Sequence, residues 1–287
     1  MSNKDSKSSH LHEPARLIHR KEKLSGRVKR EALTIVKVGG KVVEEQESLR
    51  KLLEDFSTIE GAKILVHGGG RSATAMAEKL GVKTEMVGGR RITSKEMLDV
   101  VVMVYGGLIN KNIVAQCQAL GMNAIGLTGA DLNIIKAVKR PVKEIDYGFA
   151  GDVVSVQGDQ LSNLLATNAV PVIAPLTHDG NGLMLNTNAD TMAAETAKAL
   201  ATEYDVSLVY CFEKPGVLSD PDDDYSVIPV LSYSDFKKYQ EDGTINEGMI
   251  PKLDNGFDAL NSGAKEVIIT SANSLSQLND SGTRLVL

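Results

Sequence analysis

The chain has 287 residues, 42% of them hydrophobic, and no apolar run approaches the ~18 residues that a membrane span requires. Its net charge of −5 is uneven: residues 1–30 hold nine Lys or Arg against three Asp or Glu, a local +6, so the remainder stands at −11. An acidic body argues against nucleic-acid binding, which needs a basic surface to neutralise phosphates. The composition therefore predicts a cytoplasmic globular protein without nucleic-acid or membrane partners, large enough for two domains or one sheet-centred unit. The two cysteines, Cys117 and Cys211, lie in apolar segments and read as buried, reduced thiols. Histidines in the body are not spaced as metal ligands, so no metal site is expected. The polar leader, residues 1–30, lacks a secretory apolar core and is expected to be a flexible tail.

From Leu33 onward, short β-rich runs alternate with helical patterns, which predicts an α/β fold with a mainly parallel sheet covered by helices. "LTIVKV" (33–38) reads as a strand, and Leu49, Leu52, Leu53 and Phe56 then fall on one helical face. "KILVHGGG" followed by "SATAMAEKL" repeats the strand-to-helix plan. "GLINKNIVAQCQALG" reads as a helix stopped by Gly121. "NAIGLTGAD", "VPVIAPL", "VSLVYCF" and "KEVIITS" are strand candidates, with "ADTMAAETAKALA" and "KLDNGFDALNSG" as helices between them. The irregular stretch 134–157 is expected to hold a surface β-hairpin. Topology places a boundary near Glu195.

Two strand-to-helix turns are rich in glycine, "VKVGGK" and "LVHGGGRS". Glycine lets backbone approach a ligand, and a following helix start offers unpaired N–H groups to an anion; the plainer reading is a tight corner. Neither turn matches GxGxxG, and the P-loop pattern is absent. Lys37 is the unusual residue, because a lysine in a buried strand is costly without a partner, whereas at the strand's carboxyl end it can reach a ligand crevice. "LNTNAD" (185–190) crowds Asn186, Asn188 and Asp190 before a helix; capping accounts for one of them. Lys252 lies near a helix start, where the dipole disfavours a cation unless an anion is close. Arg90 and Arg91 follow another glycine pair, and an arginine fork suits a carboxylate. Each of these has a solvated-surface alternative when taken alone.

Taken together and in order, "VKVGG", "VHGGG", "GGRRIT", "LNTNAD" and "GMIPK" resemble the amino acid kinase family, and within it the branch that acts on N-acetylglutamate. The resemblance covers nearly the whole chain after the leader. It implies a three-layer αβα sandwich with a mainly parallel open central sheet. Residues 31–195 would form an N-terminal lobe for acylglutamate binding and dimerisation, and 196–287 a C-terminal lobe for ATP. The implied reaction moves the γ-phosphoryl of ATP to a side-chain carboxylate, in arginine biosynthesis, with Mg2+ held mainly by ATP phosphates and water.

By the same resemblance Lys37 and Lys252 stabilise the transferring group, and Asp190 holds both lysines. Gly69, Gly70, Arg91 and Asn186 bind the acceptor, with Arg91 on its α-carboxylate. Gly39 and Gly40 supply N–H donors to phosphates. Glu213, Lys214, Pro215, Gly216, Val217, Leu218, Thr244, Ile245 and Asn246 contact the nucleotide. One departure stands out: the family's strand into the nucleotide lobe ends in Thr or Ser and then Asp, where this chain has Phe212 and Glu213. The compact "GTRLVL" end resembles the arginine-insensitive members and implies a homodimer. The motifs do not separate an acetyl from a succinyl acyl group. A non-catalytic amino-acid-sensing domain of the same fold would have no need of two phosphoryl-directed lysines.

Overall fold

Strand β1 (Glu31–Val38) feeds two separate layers: Leu33 and Ile35 enter one hydrophobic core, while Val36 and Val38 enter the other. Successive side chains of a strand point to opposite faces, so a run that is apolar on both must be covered on both. The computed structural model describes residues 30–245, 248–278 and 280–287. The expected leader, apart from Arg30, lies outside them. Residues Glu31–Leu287 form one compact unit.

After β1 come α1 (Gly40–Glu44), α2 (Gln46–Ser57), β2 (Ala62–His67) and α3 (Gly70–Lys79). Leu49, Leu52, Leu53 and Phe56 form the buried stripe of α2, as their spacing predicts. Strands β3 (Glu85–Val87) and β4 (Arg90–Ile92) make a hairpin whose two turn residues, Gly88 and Gly89, have φ of 54° and 72°. Positive φ at both positions is the tight turn that fits strand twist. Helix α4 (Lys95–Val101) runs through a π-helical segment, Val102–Ile109, into α5 (Asn110–Ala119). The continuous helix starts well before "GLINK", and Gly121 ends it at φ 78°. Among the described residues it is the one helix long and apolar enough to cross a membrane, and half of its most apolar stretch is buried inside the fold.

The rest follows as β5 (Ala124–Leu127), β6 (Ile135–Lys139), β7 (Ala150–Val156), α6 (Gly158–Leu165), β8 (Val170–Ile173), β9 (Leu176–His178), β10 (Met184–Thr187) and α7 (Ala189–Leu200). The C-terminal part holds β11 (Tyr204–Phe212), β12 (Val230–Ser232), α8 (Tyr233–Glu241), α9 (Ile250–Asn261), β13 (Glu266–Ser271) and β14 (Thr283–Val286). The main sheet has eight strands in the order β12-β14-β13-β11-β1-β2-β8-β5. All of its pairings are parallel except β13 with β14. β1 and β11 are central neighbours, so the sheet runs unbroken past Glu195, which lies inside α7.

The expected hairpin within 134–157 is β6 with β7, and it closes with β9 and β10 into a small four-stranded barrel. Closure into that barrel, α6, α8, the edge strand β12 and its neighbour β14 had no sequence expectation.

Candidate active site

Lys37 shares the parity of Leu33 and Ile35 on β1, so the strand alternation aims it at the layer that contains α7. Its ammonium lies 2.7 Å from Asp190 Oδ1, and Lys252 Nζ stands 3.5 Å from Oδ2 of the same carboxylate. Lys37 and Asp190 are each only 7% exposed, so they neutralise one another away from bulk water. Asp190 sits in the first turn of α7, where the helix dipole favours a negative charge. Burial pushes its carboxyl pKa up, but Lys37 and then Lys252 outweigh that and hold it below the ordinary value. Lys252, in the first turn of α9, is a cation at the unfavourable end of a helix, and Asp190 offsets that cost. Of the three polar residues in "NTNAD", Asn188 is the cap: its side chain accepts the Thr191 N–H at 3.0 Å.

The two glycine turns meet at the carboxyl ends of β1 and β2. A Cβ on Gly40 would stand 3.4 Å from Gly69 N and 3.5 Å from Gly70 N; one on Gly68 would stand 3.0 Å from Gly40 N. The turns divide the work unevenly. The Gly39 N–H donates to the Cys211 carbonyl at 2.9 Å and the Gly68 N–H to the Val38 carbonyl at 3.0 Å, so both are spent on the sheet. The expected Gly39 donor is therefore already taken, while Gly40 opens α1, where a helix has no internal acceptor for its first N–H groups. A Cβ on Gly69 would lie 2.4 Å from Ile109 Cδ1, so that glycine admits the π-helical segment.

His67, before the glycines, is fully buried. Its Nδ1 donates to the Gly68 carbonyl at 2.8 Å, and Nε2 accepts from Asn110 Nδ2 at 3.2 Å, which fixes a neutral tautomer. Burial holds its pKa down at about 4.

Gly69, Gly70, Arg91 and Asn186 line a single cavity of about 210 Å³, with Tyr105 of the π-helical segment on its wall. The β3–β4 hairpin carries Arg91 there, where Nη2 donates to the Gly70 carbonyl at 2.8 Å and to Thr74 Oγ1 at 2.7 Å. Asn186 donates through Nδ2 to Thr93 Oγ1 at 3.0 Å. The wall includes Asn188 and Ala189, the two residues that precede Asp190 in the chain, so the first turn of α7 links the cavity to the carboxylate that pairs with both lysines.

The model of the amino acid kinase family matches residues 32–271. The chain belongs to that family. Acetylglutamate kinase of Phocaeicola vulgatus is 62% identical over 248 residues, 86% of this chain and 96% of that protein. Acetylglutamate kinase of Bacteroides fragilis is 60% identical over 256 residues, 89% of this chain and 97% of that protein. Among solved structures, carbamate kinase from Giardia lamblia bound to AMP-PNP aligns with a TM-score of 0.65 at 14% identity, covering 90% of this chain and 98% of that one. At that identity the likeness concerns the fold.

In this amino acid kinase a second, smaller cavity of about 50 Å³ is lined by Lys214, Gly216, Val217, Leu218, Thr244 and Ile245, all expected at the nucleotide. Glu213 and Pro215 belong to the same turn but do not line it, and Asn246 lies outside the described residues. Lys214 is tied within its own loop, 2.7 Å from Asp224. The Val217 N–H donates to Thr283 Oγ1 at 2.8 Å, so β14 braces this turn. Phe212, which stands where the family has a hydroxyl, packs beside the Gly39 backbone.

Sequence reasoning missed Tyr105, Thr187 and Arg140 on the cavity shared by Gly69, Gly70, Arg91 and Asn186. Arg140 was legible only as a basic residue in the irregular stretch 134–157, because its place depends on the barrel.

Proposed function

We propose that this amino acid kinase transfers the γ-phosphoryl group of ATP to the side-chain carboxylate of an N-acylglutamate, N-acetyl-L-glutamate being the acceptor its relatives are named for. The observation that carries this reading is the clamp of Asp190 on both Lys37 and Lys252 beside the cavity of Gly69, Gly70, Arg91 and Asn186. The acceptor carboxylate has a reference pKa of about 4.3, so it is already a nucleophile at neutral pH and needs no general base. One of its oxygens forms the new bond to phosphorus as the bond to the ADP oxygen breaks, and ADP leaves.

The obstacle is repulsion between two anions. Lys37 and Lys252 spread positive charge over the phosphoryl oxygens as it passes, with Asp190 fixing both ammonium groups beforehand. The Gly40 N–H, with those of Gly69 and Gly70 in the facing turn, extends that field. Arg91 and Asn186 hold the α-carboxylate, so the other carboxylate points at the lysines. Residues 31–195 take the acceptor and 196–287 the nucleotide, whose Mg2+ enters on its phosphates and water.

We assign the working form as a cytoplasmic homodimer. Met103 and Leu108, 55% and 52% exposed on the helix that joins α4 to α5, give it an apolar face to bury.

The test is an ATP-dependent hydroxamate assay over N-acetylglutamate, glutamate and aspartate. Acyl phosphate from the acylated substrate far above the other two is expected. Production from none of them would leave a binding module instead.

A further inference from the structure

Tyr210 is one of the largest fully buried side chains, and it lines neither the acceptor cavity nor the nucleotide cavity. A tyrosine in a core needs a partner for its hydroxyl. Here the O–H donates at 3.2 Å to the main-chain carbonyl of Asp190, the residue whose carboxylate holds both lysines. Burial, and then the Asp190 charge, push the Tyr210 pKa well above its ordinary value, so the hydroxyl stays a donor.

The ring touches or neighbours each element that carries one of those three charges. On β11, Tyr210 stands in register with Lys37 of the parallel strand β1, so the two side chains share a face of the sheet. The first turn of α7 meets it through the Asp190 carbonyl. Helix α9 comes in at Gly256, which shares a helical face with Lys252; a Cβ there would stand 3.9 Å from Tyr210 Cε2 and 2.7 Å from Leu285 Cδ1.

α7 and α9 are tied to one another, since Asn255 Nδ2 donates to Thr191 Oγ1 at 3.4 Å and Lys198 pairs with Asp258. Their polar attachment to the sheet is narrower. Among the described residues, Lys37 and Tyr210 make the side-chain polar contacts from the main sheet to α7, and both reach Asp190. The hydroxyl is not needed to satisfy that carbonyl, which in a helix accepts the N–H four residues on and keeps a second lone pair. What it adds is a second point of attachment. A residue held at its side chain and its main chain cannot swing about either contact, so Oδ2 stays within reach of Lys252 at 3.5 Å, where there is little slack.

We infer that Tyr210 is a positioning residue of the phosphoryl transfer: its hydroxyl locks the first turn of α7 to the sheet, so that the Asp190 carboxylate spans Lys37 and Lys252. This rests on the phosphoryl-transfer reading of the site. Because the two ammonium groups act on charge that develops in the transition state, loss of the lock falls on kcat and not on substrate binding.

The experiment is Tyr210→Phe in the full chain, which removes the hydroxyl and keeps the ring that packs against α9. In the hydroxamate assay, with ATP and N-acetylglutamate varied in turn, kcat is expected to fall about five- to tenfold, the rate equivalent of one hydrogen bond, with both KM values within about twofold. A tyrosine that served stability alone would lower the urea midpoint and leave kcat where it was. The second measurement places Tyr210→Phe in the Lys252→Ala background. There the arm that Tyr210 positions is missing, so the substitution is expected to cost about twofold or less. An unchanged kcat in Tyr210→Phe, the same fold-loss in both backgrounds, or a Tyr210→Phe chain that does not fold overturns the positioning role alone. No acyl phosphate from the native chain overturns the phosphoryl-transfer reading and this role with it.

Discussion

The Lys37 ammonium sits 2.7 Å from the Asp190 carboxylate and ties the carboxyl end of β1 to the first turn of α7. Each charge is nearly excluded from water, and each is tolerable there because of the other. The pair fixes positive charge at one point of the fold, which is what the proposed reaction asks of it.

Lys37→Ala and Lys252→Ala are each expected to lower kcat by roughly a hundredfold or more, the cost of removing one preorganised transition-state donor. Steady-state kinetics with ATP and the acylglutamate varied in turn checks this. Near-normal kcat in either variant would remove that lysine from the chemistry.

Asp190→Ala leaves the buried Lys37 ammonium without its counter-charge, so the fold itself is expected to weaken by about 3 kcal/mol or more. Urea unfolding measures it. The double variant Lys37→Met with Asp190→Leu should recover a large part of that loss while remaining inactive, because an apolar pair can replace a buried ion pair without a stranded charge.

Gly69 and Gly70 should respond differently to the same methyl group. A Cβ on Gly69 meets Ile109 at 2.4 Å and Tyr105 at 3.0 Å, whereas on Gly70 its nearest neighbour is Arg91 Nη2 at 4.0 Å. Gly69→Ala is expected to cost about 1–3 kcal/mol of stability, as overpacking does. Gly70→Ala should leave the unfolding midpoint nearly unchanged and raise KM for the acceptor. Equal destabilisation by both would contradict the packing described.

Acid should weaken the protein in two stages. Burial lowers the His67 pKa to about 4 in the folded state, from an ordinary 6.5, so between those values the unfolded chain binds a proton that the folded chain does not. Stability therefore falls as pH drops through that window, by about 3 kcal/mol. Asp190 acts lower: its folded pKa is depressed, so its contribution is present above the unfolded carboxyl value and lost as pH falls through the folded one. Unfolding free energies of the native chain and of His67→Gln, followed from neutral pH downward, should diverge in slope in the upper window and run parallel below it.

The thiols of Cys117 and Cys211 are free and buried, and burial raises their pKa values to about 11 and about 12. A disulfide exchange reagent at mildly alkaline pH should modify neither at an appreciable rate in the native state, and both once guanidinium unfolds the chain. Rapid native modification would mean that one of the two core layers opens readily.

The local order of motifs made much of the site legible. Lys37 stood out because it interrupts an apolar strand, and Asp190 because capping needs one polar group where "NTNAD" offers three. The strand and helix alternation likewise announced the parallel sheet, since hydrophobic period is a property of neighbours along the chain. His67 was different: its tautomer and burial depend on Asn110, a residue of another element.

What the sequence alone determined is the set of chemical groups and the periodicities that bury or expose them: two lysines, a carboxylate, two glycine-rich turns and strands apolar on both faces. Only the tertiary structure decided which of those groups meet. The parity of β1 against α7 brings Lys37 to Asp190, and the packing of α9 brings Lys252 to the same carboxylate. Closure of β6, β7, β9 and β10 into a barrel delivers Arg140 to a cavity whose other arginines come from a distant hairpin. Such meetings depend on long-range packing and strand pairing, which no window of neighbouring residues encodes.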